Sequence, residues 1–272
     1  MSGLRHPGVA GLFYPDDAKQ LVSQIRDFLD AARPVAAPAP EANAIPMSRP
    51  KALIAPHAGY IYSGPIAGHA YASIAADAER ITRVVLLGPA HRLPFQGLAS
   101  CTAEGFATPL GEIPVDRDAI DAIADLPQVQ ELDSAFDGEH CLEVQLPFLQ
   151  VLLTQFSIVP LLVGAASGGE VAQPLERLWG GSETLIVISS DLSHYLDYSS
   201  AQTIDRRTSE AICALRPDAI ALHQACGRHP IAGLLQAARL HGLSADLLDL
   251  RNSGDTAGPR DRVVGYGAYA LG

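Results

Sequence analysis

Residues 53–64 read LIAPHAGYIYSG, a short apolar run that stops at Pro56 and is followed at once by His57. Two other stretches have the same construction. Residues 84–91, VVLLGPAH, end in His91, and residues 185–194, LIVISSDLSH, contain Asp191 and end in His194. Short apolar runs without alternation are typical of strands that helices cover on both faces. The pattern therefore predicts three buried strands, each followed by a histidine.

Helical patterns separate these strands. Residues 66–76 and 142–155 have the apolar spacing of helices, and Pro147 is expected to kink the second one. Residues 97–115 indicate short antiparallel strands around Gly105 and Gly111. The alternation predicts a single α/β domain over residues 1–272, with a central mixed, mostly parallel sheet covered by helices on both faces. Residues 33–50 carry five prolines and are predicted to form a surface loop or linker.

The composition excludes several classes of function. The 272 residues include 19 basic and 30 acidic side chains, which give a net charge of −11. A nucleic-acid surface needs clustered lysine and arginine, so that role is not expected. No apolar run is long enough for a membrane span, and the first residues do not resemble a signal peptide. The four cysteines form no CxxC pair and none directly follows a predicted strand, so we expect reduced thiols in a cytoplasmic protein.

The residues at the predicted strand ends suggest a metal site. Ligands of open α/β sheets bind beyond the carboxyl ends of the strands. That edge would bring together His57, His91, Asp191, His194 and, from the segment NSGD at residues 252–255, Asp255. Two imidazoles and one carboxylate are the ligands of non-haem Fe(II) oxygenases, and zinc accepts the same set. A single histidine after a strand is more often a hydrogen-bonded loop residue, so only the coincidence of several favours a ligand role.

Three further residues are candidates for support of this site. Glu139 and His140 lie in the segment DGEHCLEVQLPF, residues 137–148, and could hold a ligand in place or contact substrate. The alternative for this segment is helix capping, because acidic side chains favour the positive end of the helix dipole. Tyr60, close to His57, could donate a hydrogen bond to a substrate or could simply pack across the turn. The chain has no Walker loop, no GxGxxG and no GxSxG, so neither nucleotide binding nor serine hydrolysis is indicated.

Five motifs carry a resemblance to a known family. They are AGLFYP (residues 10–15), APHAGYIYSG (55–64), GPAH (88–91), GEHCLEVQLPF (138–148) and ISSDLSH (188–194). In this order, over nearly the whole chain, they resemble the Memo-like proteins, which are similar in fold to the LigB-type class III extradiol dioxygenases. The resemblance implies that His57 and His91 are metal-site histidines. It also implies that Asp191 and His194 form an Asp-x-x-His pair in which His194 is the acid/base.

The third metal-site residue depends on an alignment. A member of this family has a cysteine at that place, in a segment that we align with residues 252–255. Asp255 would then replace the cysteine and complete a triad with His57 and His91. A carboxylate favours Fe(II) or Mn(II), whereas a thiolate favours softer ions such as copper(I). We therefore predict a divalent metal, Fe(II) first, with copper or zinc as alternatives.

The resemblance also shapes the expected function. It implies a metal-dependent redox enzyme, dioxygenase-like, that acts on an unidentified small substrate. The alternative is a non-catalytic binding or scaffold protein that keeps the fold and the pocket, because fold does not determine function. Relatives in bacteria and archaea are often encoded near an AMMECR1-like protein and a radical-SAM protein, which implies a functional link with both.

Overall fold

The computed structural model describes residues 3–32 and 49–272. Within these ranges the strands are β1 Leu4–Arg5, β2 Ala52–Ala55, β3 Arg83–Pro89, β4 Leu98–Ser100, β5 Gly105–Thr108, β6 Gly111–Pro114, β7 Val129–Glu131, β8 Ser157–Val163, β9 Thr184–Ser189, β10 His194–Leu196, β11 Ala245–Asn252 and β12 Val263–Leu271. The helices are α1 Ala18–Ala32, α2 Tyr60–Ala72, α3 Arg117–Asp121, α4 Leu146–Leu152, α5 Gly168–Arg177, α6 Tyr198–Cys213 and α7 Arg228–Leu240.

Most strands join one nine-stranded sheet, in the order β10-β12-β2-β9-β3-β8-β4-β7, and β11 also pairs with β12. Its centre is parallel, because β2 pairs with β9, β9 with β3 and β3 with β8 in that sense. Antiparallel pairing flanks this centre, between β12 and β2 on one side and between β4 and β8 on the other. The sequence-based prediction of an α/β fold with a mixed central sheet is confirmed.

Helices cover both faces of the parallel centre. Helix α2 connects β2 to β3 and α5 connects β8 to β9, so the two connections run in opposite directions along the sheet. Connections between parallel strands are almost always right-handed. Two helices whose connections run in opposite directions along the sheet therefore lie on opposite faces of it. Helices α1 and α4 pack with α2, and α7 packs with α5. The four central strands are consequently buried almost throughout, as their uninterrupted apolar sequences predict.

Local details differ from the sequence-based expectations at two helices. Helix α2 begins at Tyr60, six residues before the predicted start, and ends at Ala72. The segment predicted as one kinked helix is a 3₁₀ turn, Glu143–Gln145, followed by α4 with Pro147 in its first turn. The backbone N–H groups of the first helical turn have no partner within the helix, so the missing N–H of proline costs no hydrogen bond there. Pro147 therefore starts the helix instead of bending it.

Two other expectations concern the periphery. Strands β5 and β6 pair antiparallel in a small sheet with β1, which confirms the antiparallel excursion predicted around Gly105 and Gly111. The predicted loop at residues 33–50 lies outside the described residues except for its last two positions. None of the helices in the described ranges is long and apolar enough to cross a membrane.

Candidate metal centre

The predicted strand ends meet at one edge of the sheet. Ala55, the last residue of β2, is in register with Ser189, the last residue of β9. Strand β3, next to β9, ends at Pro89. His57 and His91 leave the sheet from this edge, and their ring centroids lie 5.2 Å apart. The shared carboxyl edge brings the two histidines together as the sequence predicts.

The imidazole of His57 is held in one tautomer by a buried network. Its Nδ1 lies 2.8 Å from the Ser189 hydroxyl oxygen, which donates its own hydrogen to the Cys141 carbonyl at 2.7 Å. The Gln145 amide donates to the same hydroxyl oxygen at 2.8 Å, and the Tyr71 hydroxyl fixes that amide by donating to its oxygen. Ser189 therefore accepts from His57, so Nδ1 carries the proton and Nε2 offers a lone pair. Burial, and then the neighbouring His91 and His140, lower the pKa of His57, which keeps the ring neutral.

The imidazole of His91 is oriented by Glu139. The carboxylate accepts from the His91 backbone N–H at 2.7 Å and from its Nδ1–H at 2.9 Å. Burial alone would raise the pKa of Glu139, but the hydrogen bonds from the His91 ring and from the backbone N–H groups of His91 and Cys141 outweigh it and lower the pKa to about 2. An ionised carboxylate on Nδ1–H leaves Nε2 of His91 free, an arrangement common among metal-binding histidines.

A cysteine that the sequence reasoning did not select completes the cluster. The Cys226 sulfur lies 3.3 Å from His57 Nε2, and it accepts from the Asp191 backbone N–H at 3.3 Å. Cys226 lies in a turn just before α7, and Gly227 lets this turn approach the sheet: a Cβ at Gly227 would lie 2.6 Å from Ser190 Cβ. Burial, and then the charge of Asp191, raise the pKa of the Cys226 thiol to about 12. A bound metal ion would lower the pKa of this thiol instead, because a thiol that coordinates a metal is deprotonated.

His57, His91 and Cys226 together have the geometry of a metal-binding group. One ligand atom from each lies within 4.8 Å of the others. The 3.3 Å between the Cys226 sulfur and His57 Nε2 suits two donors that bind one ion at about 2.0 to 2.3 Å. Two neutral imidazoles with a thiolate suit a divalent transition metal ion.

Asp255 does not join this group. Its carboxylate accepts hydrogen bonds from the Asn252 backbone N–H and the Tyr198 hydroxyl, and it caps the short 3₁₀ turn Ser253–Asp255. The structure thus gives Asp255 a local capping role and puts Cys226 where the carboxylate was expected. The available signal was the resemblance itself: one member of the family has a cysteine as its third metal-site residue, and the alignment with residues 252–255 required an aspartate to replace it.

The predicted catalytic pair is near the cluster but is arranged differently from the expectation. Asp191 is buried and its carboxylate accepts from the His57 backbone N–H at 2.8 Å. His194 is oriented by the Leu192 carbonyl, to which its Nδ1 donates at 2.8 Å, and not by Asp191. Burial raises the pKa of Asp191, against the His57 N–H and the neighbouring imidazoles, which lower it. Asp191 supports the His57 loop, and His194 has its Nε2 available.

The three supporting candidates separate into two groups. His140 stacks on the His91 ring at 5.2 Å between centroids, and its backbone N–H donates to Glu139. Both Glu139 and His140 therefore lie at the site. Tyr60 is 1% exposed and donates its hydroxyl hydrogen to the Val144 carbonyl at 2.8 Å, so it is part of the core. Tyr62, two residues further along α2, borders the cavity instead.

A cavity of about 680 Å³ opens onto the cluster. His57, His91, His140, Asp191 and His194 all contribute to its wall. Its volume is in the range of small-molecule sites, roughly 300 to 1,000 Å³. A metal ion on the cluster would therefore face a space large enough for a substrate.

The N-terminal arm, residues 8–14, closes one side of this cavity. Glu143 holds the arm through the backbone N–H of Gly8 at 2.8 Å and the Tyr14 hydroxyl at 2.7 Å. Leu12 and Phe13 then line the cavity. This role of the arm and of Glu143 was not predicted, because the contacts join residues about 130 positions apart.

The fold and the cluster define an α/β protein with a candidate metal centre at the carboxyl edge of its sheet. The profile of the Memo-like protein family matches residues 5–270. The chain is 38% identical to a MEMO1 family protein of Aeropyrum pernix, over 98% of this chain and 99% of that protein. It is 34% identical to a MEMO1 family protein of Methanothermobacter thermautotrophicus, over 97% and 98% of the two chains. The chain belongs to the Memo-like family, as its motifs predict.

Proposed function

We propose that this protein binds a transition metal ion through His57, His91 and Cys226 and uses it in a redox reaction on a small molecule held in the cavity. The observation that carries the proposal is the convergence of three donor atoms within 4.8 Å of one another, two of them from His57 and His91 in the cavity wall. Hydrogen bonds of Ser189 and Glu139 aim the lone pair of each imidazole away from its supporting partner. Such preorganised partners are what a ligand set needs to bind tightly.

Three protein ligands leave coordination positions for substrate, as in catalytic metal sites. The sulfur of Cys226 makes the donor set softer than the predicted histidine–carboxylate triad, which moves the preference from Fe(II) toward copper and zinc. A redox-active ion held there would supply electron transfer to or from the bound substrate.

His194 is the residue that we propose moves protons. Its Nδ1–H is committed to the Leu192 carbonyl, so Nε2 is the nitrogen that takes up or releases a proton. The imidazole borders the cavity and can reach a substrate there. Asp191 is a positioning residue, because its carboxylate holds the backbone N–H of His57.

Metal analysis of anaerobically purified protein tests the ligand set. We expect one metal ion per chain in the wild type and loss of that ion in His57→Ala and His91→Ala. His223→Ala is the matched control, since this histidine is exposed and lies away from the cavity. Metal-free wild-type protein, indistinguishable from the two alanine variants, contradicts the proposal.

A turnover assay tests the reaction. Oxygen uptake by the metal-loaded protein should depend on added catechols or related chelating compounds, and His194→Ala should reduce uptake about 100-fold or more while metal is retained. Bound metal without turnover of any such compound would favour the alternative, a binding protein that keeps the pocket.

A further inference from the structure

A second cavity lies at the amino edge of the central sheet, opposite the candidate metal centre. Lys51 directly precedes β2, and Thr184 is the first residue of β9, which is parallel to β2. Both residues line a cavity of about 370 Å³, a volume within the range of small-molecule sites, roughly 300 to 1,000 Å³. None of its described lining residues belongs to the metal group or borders the cavity at the carboxyl edge. The second cavity is therefore a separate site.

The amine of Lys51 is fixed in this cavity by two backbone carbonyls. Its Nζ donates to the carbonyl oxygens of Gly181 and Thr184, each at 2.8 Å. Within the part of the chain that the structure describes, no third acceptor forms a hydrogen bond with it. An ammonium group has three N–H bonds and a neutral amine has two, so the loss of one proton costs no hydrogen bond to the protein. The neutral amine then has a lone pair at its third position.

The surroundings of this amine favour its neutral form. Burial lowers the pKa of Lys51 to about 8, although the charge of Glu183 opposes the decrease. At pH 8 about half of the Lys51 amines are neutral, whereas about one in 300 is neutral for a lysine of ordinary pKa. Only the neutral amine is a nucleophile, so Lys51 has the form that reacts.

The other charged side chains at this cavity are paired, and the rest of its wall is largely apolar. Arg49 lies 3.2 Å from Asp77, and His241 lies 3.0 Å from Glu176. The apolar part of the wall consists of Ile81, Trp179, Leu185 and Leu243. Lysines that are desolvated in apolar pockets are the ones that form Schiff bases with carbonyl compounds.

We propose that Lys51 is a nucleophile that forms an imine with a small aldehyde whose apolar body occupies the second cavity. The lone pair of Nζ attacks the carbonyl carbon, and the electrons of the carbon–oxygen double bond move to the oxygen. Both hydrogens of the neutral amine leave with this oxygen as water, and a carbon–nitrogen double bond remains. No group is oxidised or reduced. The protonated imine retains one N–H, which one of the two carbonyls can still accept.

Reductive trapping with benzaldehyde tests the proposal. Cyanoborohydride reduces the imine to a stable secondary amine, and peptide mapping by mass spectrometry locates the added benzyl group. The chain has two lysines, and the other one, Lys19, is exposed on α1 and does not line this cavity, so it is an internal control. We expect Lys51 to be labelled about tenfold or more faster than Lys19 at pH 8. The mapping also separates both from the N-terminal amine.

The concentration dependence shows whether the aldehyde reacts from the cavity. Labelling of Lys51 should approach a maximum rate as benzaldehyde increases, and benzyl alcohol, which has the same ring without the carbonyl group, should slow it. Labelling of Lys19 should increase linearly and should not respond to benzyl alcohol. Trp179 is the single tryptophan of the chain and lines this cavity, so its fluorescence should change as benzyl alcohol binds.

Lys51→Arg and Lys19→Arg form a matched pair of variants. Arginine keeps the positive charge and can donate to the carbonyls of Gly181 and Thr184, but its guanidinium stays protonated and forms no imine. Lys51→Arg should remove the fast labelling, and Lys19→Arg should leave it unchanged. Thermal unfolding of each variant shows whether it is folded.

Two results overturn the proposal. One is labelling of Lys51 at the same rate as Lys19 or more slowly. The other is a Lys51 rate that neither saturates nor responds to benzyl alcohol, because the aldehyde would then react without occupying the cavity. Both results come from the wild type and do not require Lys51→Arg to fold. Neither depends on whether the metal group binds an ion, so failure here is distinct from failure of the proposed function.

Discussion

At the scale of single residues, the candidate site depends on hydrogen bonds that orient its donor atoms. Ser189 commits its hydrogen to the Cys141 carbonyl and therefore accepts from His57. Glu139 accepts from both the side chain and the backbone of His91. Cys226 lies against His57 Nε2 and the Asp191 backbone. The two imidazoles thus each have a partner that fixes which nitrogen faces a metal ion.

Cys226 and Asp255 give opposite predictions for metal affinity. Cys226→Ser should lower metal affinity about 100-fold or more, because a serine hydroxyl is a poor substitute for thiolate. Asp255→Asn should leave metal content unchanged, since its carboxylate caps a turn and contacts Tyr198. Metal content of purified protein and competition with a chelator measure both effects. Cys213→Ser, which changes a half-buried thiol outside the cluster, is the control. Metal loss in Asp255→Asn together with retention in Cys226→Ser would restore the original assignment.

At the scale of elements, α1 and α2 approach each other closely through glycine. Gly64 and Gly68 of α2 both face Phe28 of α1. A Cβ at Gly68 would lie 2.7 Å from the Phe28 carbonyl oxygen. This contact places α2, whose first turn directly follows His57 and Gly59, against the rest of the fold. The position of α2 therefore affects the position of His57 in the candidate metal site.

Gly68→Ala tests this contact. Alanine favours a helix over glycine by about 1 kcal/mol, yet the overpacking against Phe28 should give a net loss of stability of about 1 to 3 kcal/mol. Gly169→Ala in α5 is the control, because its Cβ would meet only the end of the Gln236 side chain at 3.9 Å. Chemical denaturation should show Gly68→Ala destabilised and Gly169→Ala neutral or slightly stabilised. Similar shifts in both variants would show that the close approach has no energetic role.

Helix α6 supports the His194 loop through a buried carboxylate. Asp205 accepts from the Ser193 backbone N–H at 3.0 Å. Burial raises the pKa of Asp205 to about 6, although the Ser193 hydrogen bond and His194 oppose the increase. The folded state therefore binds this proton more tightly than the unfolded state does. The stability that protonated Asp205 contributes is fully present below 3.8, the pKa of this group in the unfolded state. It is lost as the pH rises through about 6, the pKa in the folded state.

Asp205→Asn removes this pH dependence. Relative to wild type, the free energy of unfolding of the variant should increase by about 2 kcal/mol between about pH 4 and pH 7, because only the wild type loses stability over that range. Urea denaturation at intervals across that range measures the difference. A difference between the two proteins that does not change with pH would show that Asp205 does not titrate in this window.

At the scale of the whole molecule, the metal group joins distant parts of the chain. His57 follows β2, His91 follows β3 and Cys226 precedes α7. A bound ion would cross-link elements on both sides of the sheet, and it would bind the folded state in preference to the unfolded one. Metal binding and global stability should therefore be linked.

Addition of metal ion should stabilise the wild type by about 2.7 kcal/mol at a free concentration 100 times the Kd, or less if the unfolded chain also binds it. The metal-free protein is titrated with zinc or copper, and unfolding is followed at each concentration. Cys226→Ser should show a much smaller increase, whereas Cys213→Ser should respond as the wild type does. Equal stabilisation of Cys226→Ser and wild type would indicate that the ion binds elsewhere.

Much of the fold and part of the site follow from local sequence. The apolar runs before His57, His91 and Asp191 predict buried parallel strands, and parallel strands end at a common edge. The sequence therefore explains why His57 and His91, two of the three residues of the metal-binding group, lie close together. Glu139 and His140 were selected because they lie in a charged segment just before a predicted helix.

The third ligand candidate and the orientation of each side chain depend on the tertiary structure. Cys226 has no strand before it and no periodic pattern around it, so nothing local distinguishes it from the other cysteines. It reaches the site because Gly227 allows its turn to contact Ser190. Asp255 has a strand before it, but the turn that follows directs its carboxylate to its own backbone. Sequence alone determined which strands end at the site, because burial and direction are encoded locally. Only the packing of distant segments decided which side chains meet there, because those contacts join residues far apart in the chain.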